Sequence, residues 1–135
     1  NCAPSVVAAF ADMYGFTEEQ ALRMSASFGG GIGRMRQTCG AACGMFLLAG
    51  LEKGAVDGKD REGKAANYAL VQELAEEFKK RNGSMLCAEL LGLKKPEGSS
   101  TPEARTEQYY AKRPCAKMVE EAATIWAEYL DKQQK

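Results

Sequence analysis

Apolar residues recur at three- and four-residue intervals along nearly the whole chain, a spacing that favours helices and leaves little room for strands. Leu70, Leu74 and Phe78 stand every fourth residue, with Val71 and Ala75 beside them. Met118, Ala122, Ile125, Trp126 and Tyr129 form a second stripe of the same kind. Val, Ile and Thr are too scarce to build alternating strands. The expected fold is all-α, a single compact bundle of about five to six helices. With 135 residues, 45% of them hydrophobic, the chain is expected to form one helical domain over residues 1–135 around one core.

Turn and cap residues place the helices. Pro4 suits the first turn of a helix over residues 4–14, and Gly15 stops it. Thr17, followed by Glu18, Glu19 and Gln20, opens a second helix that fails at Phe28. Thr38 is the expected cap of a third, running to about Lys53. Residues 54–60 read as a loop and residues 61–81 as a long fourth helix, ended by Asn82-Gly83. Ser84 is the expected cap of a short fifth helix carrying Met85, Leu86, Leu90 and Leu91. Residues 92–113 show the weakest regularity, although Thr101 before Pro102-Glu103 marks a short helix with Tyr109 and Tyr110. Pro114 opens the last helix, to about Asp131.

Composition removes whole classes of function. The chain has no histidine, so no Ser-His-Asp or Cys-His catalytic pair and no His-ligated metal site is available. Eighteen basic and eighteen acidic residues cancel, which argues against a nucleic-acid partner. No apolar run approaches the roughly 20 residues that span a bilayer, so no direct membrane insertion is expected. No segment has the basic start and apolar stretch of a signal peptide.

What remains is sulfur. The five cysteines are Cys2, Cys39, Cys43, Cys87 and Cys115. An odd count fits a disulfide framework poorly and a reducing, cytoplasmic setting better. Cys2, Cys39, Cys87 and Cys115 each lie at or near an expected helix start, where the partial positive charge and the unbonded N–H groups favour a thiolate. The bland alternative is that buried cysteines only fill a core.

The densest segment is Thr38-Cys39-Gly40-Ala41-Ala42-Cys43-Gly44. Gly40 and Gly44 share one helix face, as do Cys39 and Cys43, and small residues at that spacing admit another backbone. The glycine loop Gly29-Gly30-Gly31-Ile32-Gly33 is a poor dinucleotide fingerprint, because it follows a helix and Arg36 takes the place of the third glycine. It reads instead as a flexible approach to Cys39, with Arg34 and Arg36 either raising the potential there or simply solvated. Trp126, Tyr129, Phe78 and Phe46 read as core, and Glu76-Glu77 with Lys79-Lys80-Arg81 as a solvated face.

This layout resembles the C_GCAxxG_C_C family of small four-cysteine bacterial and archaeal proteins described as redox-active. The resemblance rests on Asn1-Cys2-Ala3 with Ser5-Val6, the glycine loop before Cys39, the box Cys39-Gly40-Ala41-Ala42-Cys43-Gly44, and the separate Cys87 and Cys115. It implies Cys2, Cys39, Cys87 and Cys115 as the functional set, with Cys43 an extra thiol at a variable position of the box.

Three functions stay open. The first is thiol–disulfide exchange with a redox partner protein, Cys39 attacking and Cys2, Cys87 or Cys115 resolving. In the second, the same four cysteines ligate an iron–sulfur cluster or zinc. The third is a helical interaction module whose cysteines are structural.

Overall fold

The computed structural model describes residues 2–92 and 115–133, and of Cys115 the backbone alone. Six α-helices occur among these residues: α1 (Cys2–Phe10), α2 (Glu18–Ser25), α3 (Gly40–Lys53), α4 (Arg61–Asn82), α5 (Cys87–Leu90) and α6 (Cys115–Gln133). Short 3₁₀ turns, Ala11–Tyr14 and Ala26–Phe28, extend α1 and α2. The all-α expectation holds. The short helix expected around Tyr109 and Tyr110 falls outside the described residues.

Local chemistry accounts for several helix ends. At α2, the Thr17 hydroxyl accepts from the Gln20 N–H at 3.1 Å, while the Gln20 side chain accepts from the Thr17 N–H at 2.9 Å. This reciprocal box satisfies two N–H groups that the helix itself leaves without partners. Asp60, which the sequence reading places in the loop, caps α4 by accepting from the Gly63 N–H at 2.8 Å. Gly83, with a φ of 87°, closes that helix in a left-handed turn that a side chain would strain.

Two expected caps move. Helix α3 begins at Gly40 with Cys39, not Thr38, in the cap position. Thr38 cannot turn into the helix because it is extended and paired antiparallel with Leu86. Helix α5 begins at Cys87 with Leu86 as its cap residue. Ser84 instead braces the preceding turn, accepting from the Leu86 N–H at 3.0 Å and donating to Glu89 at 2.6 Å.

Helix α3 is the central element, in contact with α1, α4 and α6. Its Met45 and Leu48 join Val6 of α1, Leu74 and Phe78 of α4, and Met118, Ala122, Ile125 and Trp126 of α6 in one buried core. Burying side chains of this size contributes roughly 1.5–3 kcal/mol each. Val7, Ala11 and Ala21 form a smaller cluster between α1 and α2. Arg81 departs from the expected solvated face: it reaches from α4 to Glu128 of α6 at 2.6 Å and also holds Glu77 at 2.8 Å. No described helix is long and apolar enough to cross a membrane.

Candidate functional site

The small residues of the box do what their spacing implies. A Cβ on Gly40 would lie 2.7 Å from the Phe28 carbonyl oxygen and 3.0 Å from Cβ of Cys2. One on Gly44 would lie 2.9 Å from Cβ of Val6 and 3.0 Å from the Ala3 carbonyl oxygen. The backbone admitted by this face is therefore the first turn of α1. The crossing sets Cys2 beside Gly40 at the head of α3, one residue after Cys39.

Cys87 reaches the same region by another route. The Cys39 N–H donates to the Met85 carbonyl at 2.7 Å, and the Cys87 N–H donates to the Gln37 carbonyl at 2.6 Å. These bonds flank the Thr38–Leu86 pair. In such a pleated pair the flanking residues face away from the central one. Cys39 and Cys87 are accordingly buried, while Leu86 is exposed. Three of the four expected cysteines thus gather around the start of one helix, none of the three in a disulfide.

Their settings differ. Cys39 occupies the cap position of α3 and makes no side-chain cap hydrogen bond. It sits at the positive end of a 14-residue helix. Cys87 opens a helix of only four residues, which supplies little dipole. Its sulfur instead accepts from Nη1 of Arg36 at 3.7 Å. Arg36 is only 7% exposed. Expected beside Cys39 or in solvent, Arg36 is instead folded inward onto Cys87. The cue available in the sequence was an arginine three residues after the last glycine of the loop.

The loop is not a loose lead-in. Gly30, Gly31, Ile32, Gly33, Arg34 and Arg36 all have positive φ, between 56° and 75°. The six successive N–H groups of residues 32–37 each donate to a carbonyl of residues 27–32. A phosphate cradle needs such N–H groups pointing at its ligand, and here they are used within the loop. Gly31 lies against the cysteine, since a Cβ there would fall 2.6 Å from Cβ of Cys87.

Cys43 stands apart. It lies inside α3, its thiol donating weakly to the Thr38 carbonyl at 3.9 Å, and burial pushes its pKa up from 9.0 to about 11. Folding favours the neutral thiol, so the stability tied to this group is intact below about pH 9 and is lost as pH rises toward 11. Cys43 should therefore be the slowest described cysteine to react with iodoacetamide at neutral pH, its rate climbing only as pH nears 11. Mass mapping of labelled peptides across a pH series measures this. Fast labelling of Cys43 at pH 7 would contradict it.

Helix α6 starts at Cys115, whose side chain lies outside the described residues. Among the described residues, no three His, Cys, Asp or Glu side chains gather closely enough to hold a metal ion. Cys2, Cys39 and Cys87 share a region without forming a ligand sphere.

Neither the curated proteins nor the solved structures contain a match to this chain. The family described as "Putative redox-active protein (C_GCAxxG_C_C)" matches residues 1–129, nearly the full length, and the chain belongs to that family.

Proposed function

We propose that this protein carries out thiol–disulfide exchange at the head of α3, with Cys39 as the attacking thiolate. The observation that carries this reading is the position of Cys39 as the cap residue of a long helix, with Cys2 and Cys87 set around the same helix start. A helix N-terminus stabilises a thiolate, which is the form that attacks sulfur.

The chemistry balances with a disulfide substrate of a partner protein. The Cys39 thiolate attacks one sulfur of the partner's disulfide, forming a mixed disulfide and expelling the other sulfur as a thiolate. A second cysteine thiolate of this chain then attacks Sγ of Cys39 and releases the first partner sulfur. Two electrons pass to the partner, and an intramolecular disulfide is left here. The reverse sequence oxidises a partner dithiol.

Replacing Cys39 with serine should abolish exchange with a model disulfide while leaving the helical circular dichroism intact. Cys43→Ser, which removes the thiol that burial keeps protonated, should leave the exchange rate unchanged. Retained exchange in Cys39→Ser overturns the assignment. Stoichiometric iron or zinc in protein purified without oxygen would overturn the exchange reading itself and make the cysteines ligands.

A further inference from the structure

Cys2 and Cys87 are the two described cysteines set with Cys39 around the start of α3, and the sulfur of Cys87 meets a guanidinium. Arg36 has a φ of 61°, a left-handed conformation that strains an L-residue with a side chain. Such strain persists only where surrounding structure over-determines it. Here the Arg36 N–H donates to the Gly30 carbonyl at 3.2 Å, and its own carbonyl accepts from the Ala88 N–H at 3.2 Å. Arg36 is therefore tied to the start of α5 by its backbone, and its guanidinium returns to the sulfur of Cys87 at 3.7 Å.

A guanidinium held against a sulfur favours the charged form of the thiol. A neutral thiol answers that charge poorly, whereas a thiolate answers it with a full negative charge and accepts a charge-assisted hydrogen bond. The four-residue α5 offers no comparable stabilisation. The glycine loop has one further consequence. With Gly31 against Cβ of Cys87, the loop covers the cysteine and keeps water from competing for the charge.

We propose that Arg36 is the charge partner that holds Cys87 as a thiolate, making Cys87 the second thiol that resolves the mixed disulfide on Cys39. The assignment rests on the exchange reading above and narrows it from two described candidates to one. In the resolving step the Cys87 thiolate attacks Sγ of Cys39 and forms the Cys39–Cys87 bond. The substrate sulfur leaves with the electron pair of the broken bond. Arg36 transfers no proton and stays charged throughout. Once Cys87 is oxidised its negative charge is gone, so the guanidinium favours the reduced state of this cysteine.

The test uses the full chain in two measurements. The first is the ultraviolet thiolate absorbance at neutral pH, read as the difference between each protein and its Cys87→Ser counterpart. The wild-type difference should show a thiolate band, Arg36→Met should lose it, and Arg36→Lys, which keeps a cation, should restore most of it. If Arg36→Met fails to fold by circular dichroism, Arg36→Gln makes the same comparison with a polar, uncharged side chain. A band unchanged by losing the charge, or lost equally in Arg36→Lys, overturns the charge-partner role.

The second measurement follows reaction with dithiobis(nitrobenzoate), with the disulfides located by peptide mapping. Wild type should release one nitrothiolate on attack by Cys39 and a second as the Cys39–Cys87 bridge closes. Arg36→Met should leave the first release unchanged and slow the second about tenfold, with the mixed disulfide accumulating on Cys39. A Cys2–Cys39 bridge in place of Cys39–Cys87 overturns the assignment of Cys87 alone. Absence of any attack at Cys39, with the thiolate band still present, overturns the exchange reading instead.

Discussion

Replacing Gly31 with alanine is expected to destabilise the fold by about 2–5 kcal/mol. Two independent costs add. At a φ of 75° an L-residue with a Cβ meets its own following carbonyl, which costs about 1–2 kcal/mol. The new methyl would also sit 2.6 Å from Cβ of Cys87, 2.8 Å from Cα of Arg36 and 2.8 Å from the Gln37 nitrogen. Two of those atoms are backbone, so no side-chain rotation relieves the clash, and overpacking of this kind costs about 1–3 kcal/mol more. Gly33→Ala is the control, because Gly33 also has positive φ but nothing lies within 4 Å of its Cβ position. It should show the backbone cost alone. Urea denaturation of both variants decides the matter. Equal losses for Gly31→Ala and Gly33→Ala would mean that the loop does not pack on Cys87.

Trp126→Ala should cost about 3–5 kcal/mol, the range for emptying the site of a large buried aromatic. Trp126 is fully buried where α6 meets α1 and α3, and its ring stacks on Tyr129 at 5.1 Å. Its Nε1–H approaches the Tyr14 hydroxyl. That hydroxyl is committed to Glu52, to which it donates at 2.8 Å; burial and this bond hold it protonated well above the ordinary tyrosine range. Trp126→Phe should cost far less than Trp126→Ala, since it keeps an aromatic ring in the site. Urea midpoints followed by circular dichroism compare the two. A loss under about 1 kcal/mol for Trp126→Ala would remove Trp126 from the core.

Both predictions depend on contacts whose legibility in the sequence differs. Trp126 was readable because Met118, Ala122 and Ile125 share its helical stripe, and a stripe on a helix face needs no knowledge of its partner. Gly40 and Gly44 were readable for the same reason: residues four apart lie on one face, and two glycines there make room for a backbone. That the backbone is α1, carrying Cys2, was not. The Thr17 cap is local, so its residue type alone announced it, while the reciprocal bond from Gln20 emerged with the structure. Thr38 misled because it too is a good cap by type, yet its pairing with Leu86 holds it extended and passes the cap to Cys39.

Arg36 was the least legible feature. A glycine run announces that positive φ is allowed, but nothing in it announces that Ile32, Arg34 and Arg36 follow the same left-handed course. Only the assembled loop, bonded to itself and covered by α5, turns that arginine inward.

The sequence by itself determined the helical class and the family, because periodicity, composition and residue order are properties of the chain. The tertiary structure alone decided which cysteine stands at the end of α3 and which thiol meets a buried guanidinium. Both depend on contacts between segments about 50 residues apart, and no local propensity encodes such a contact.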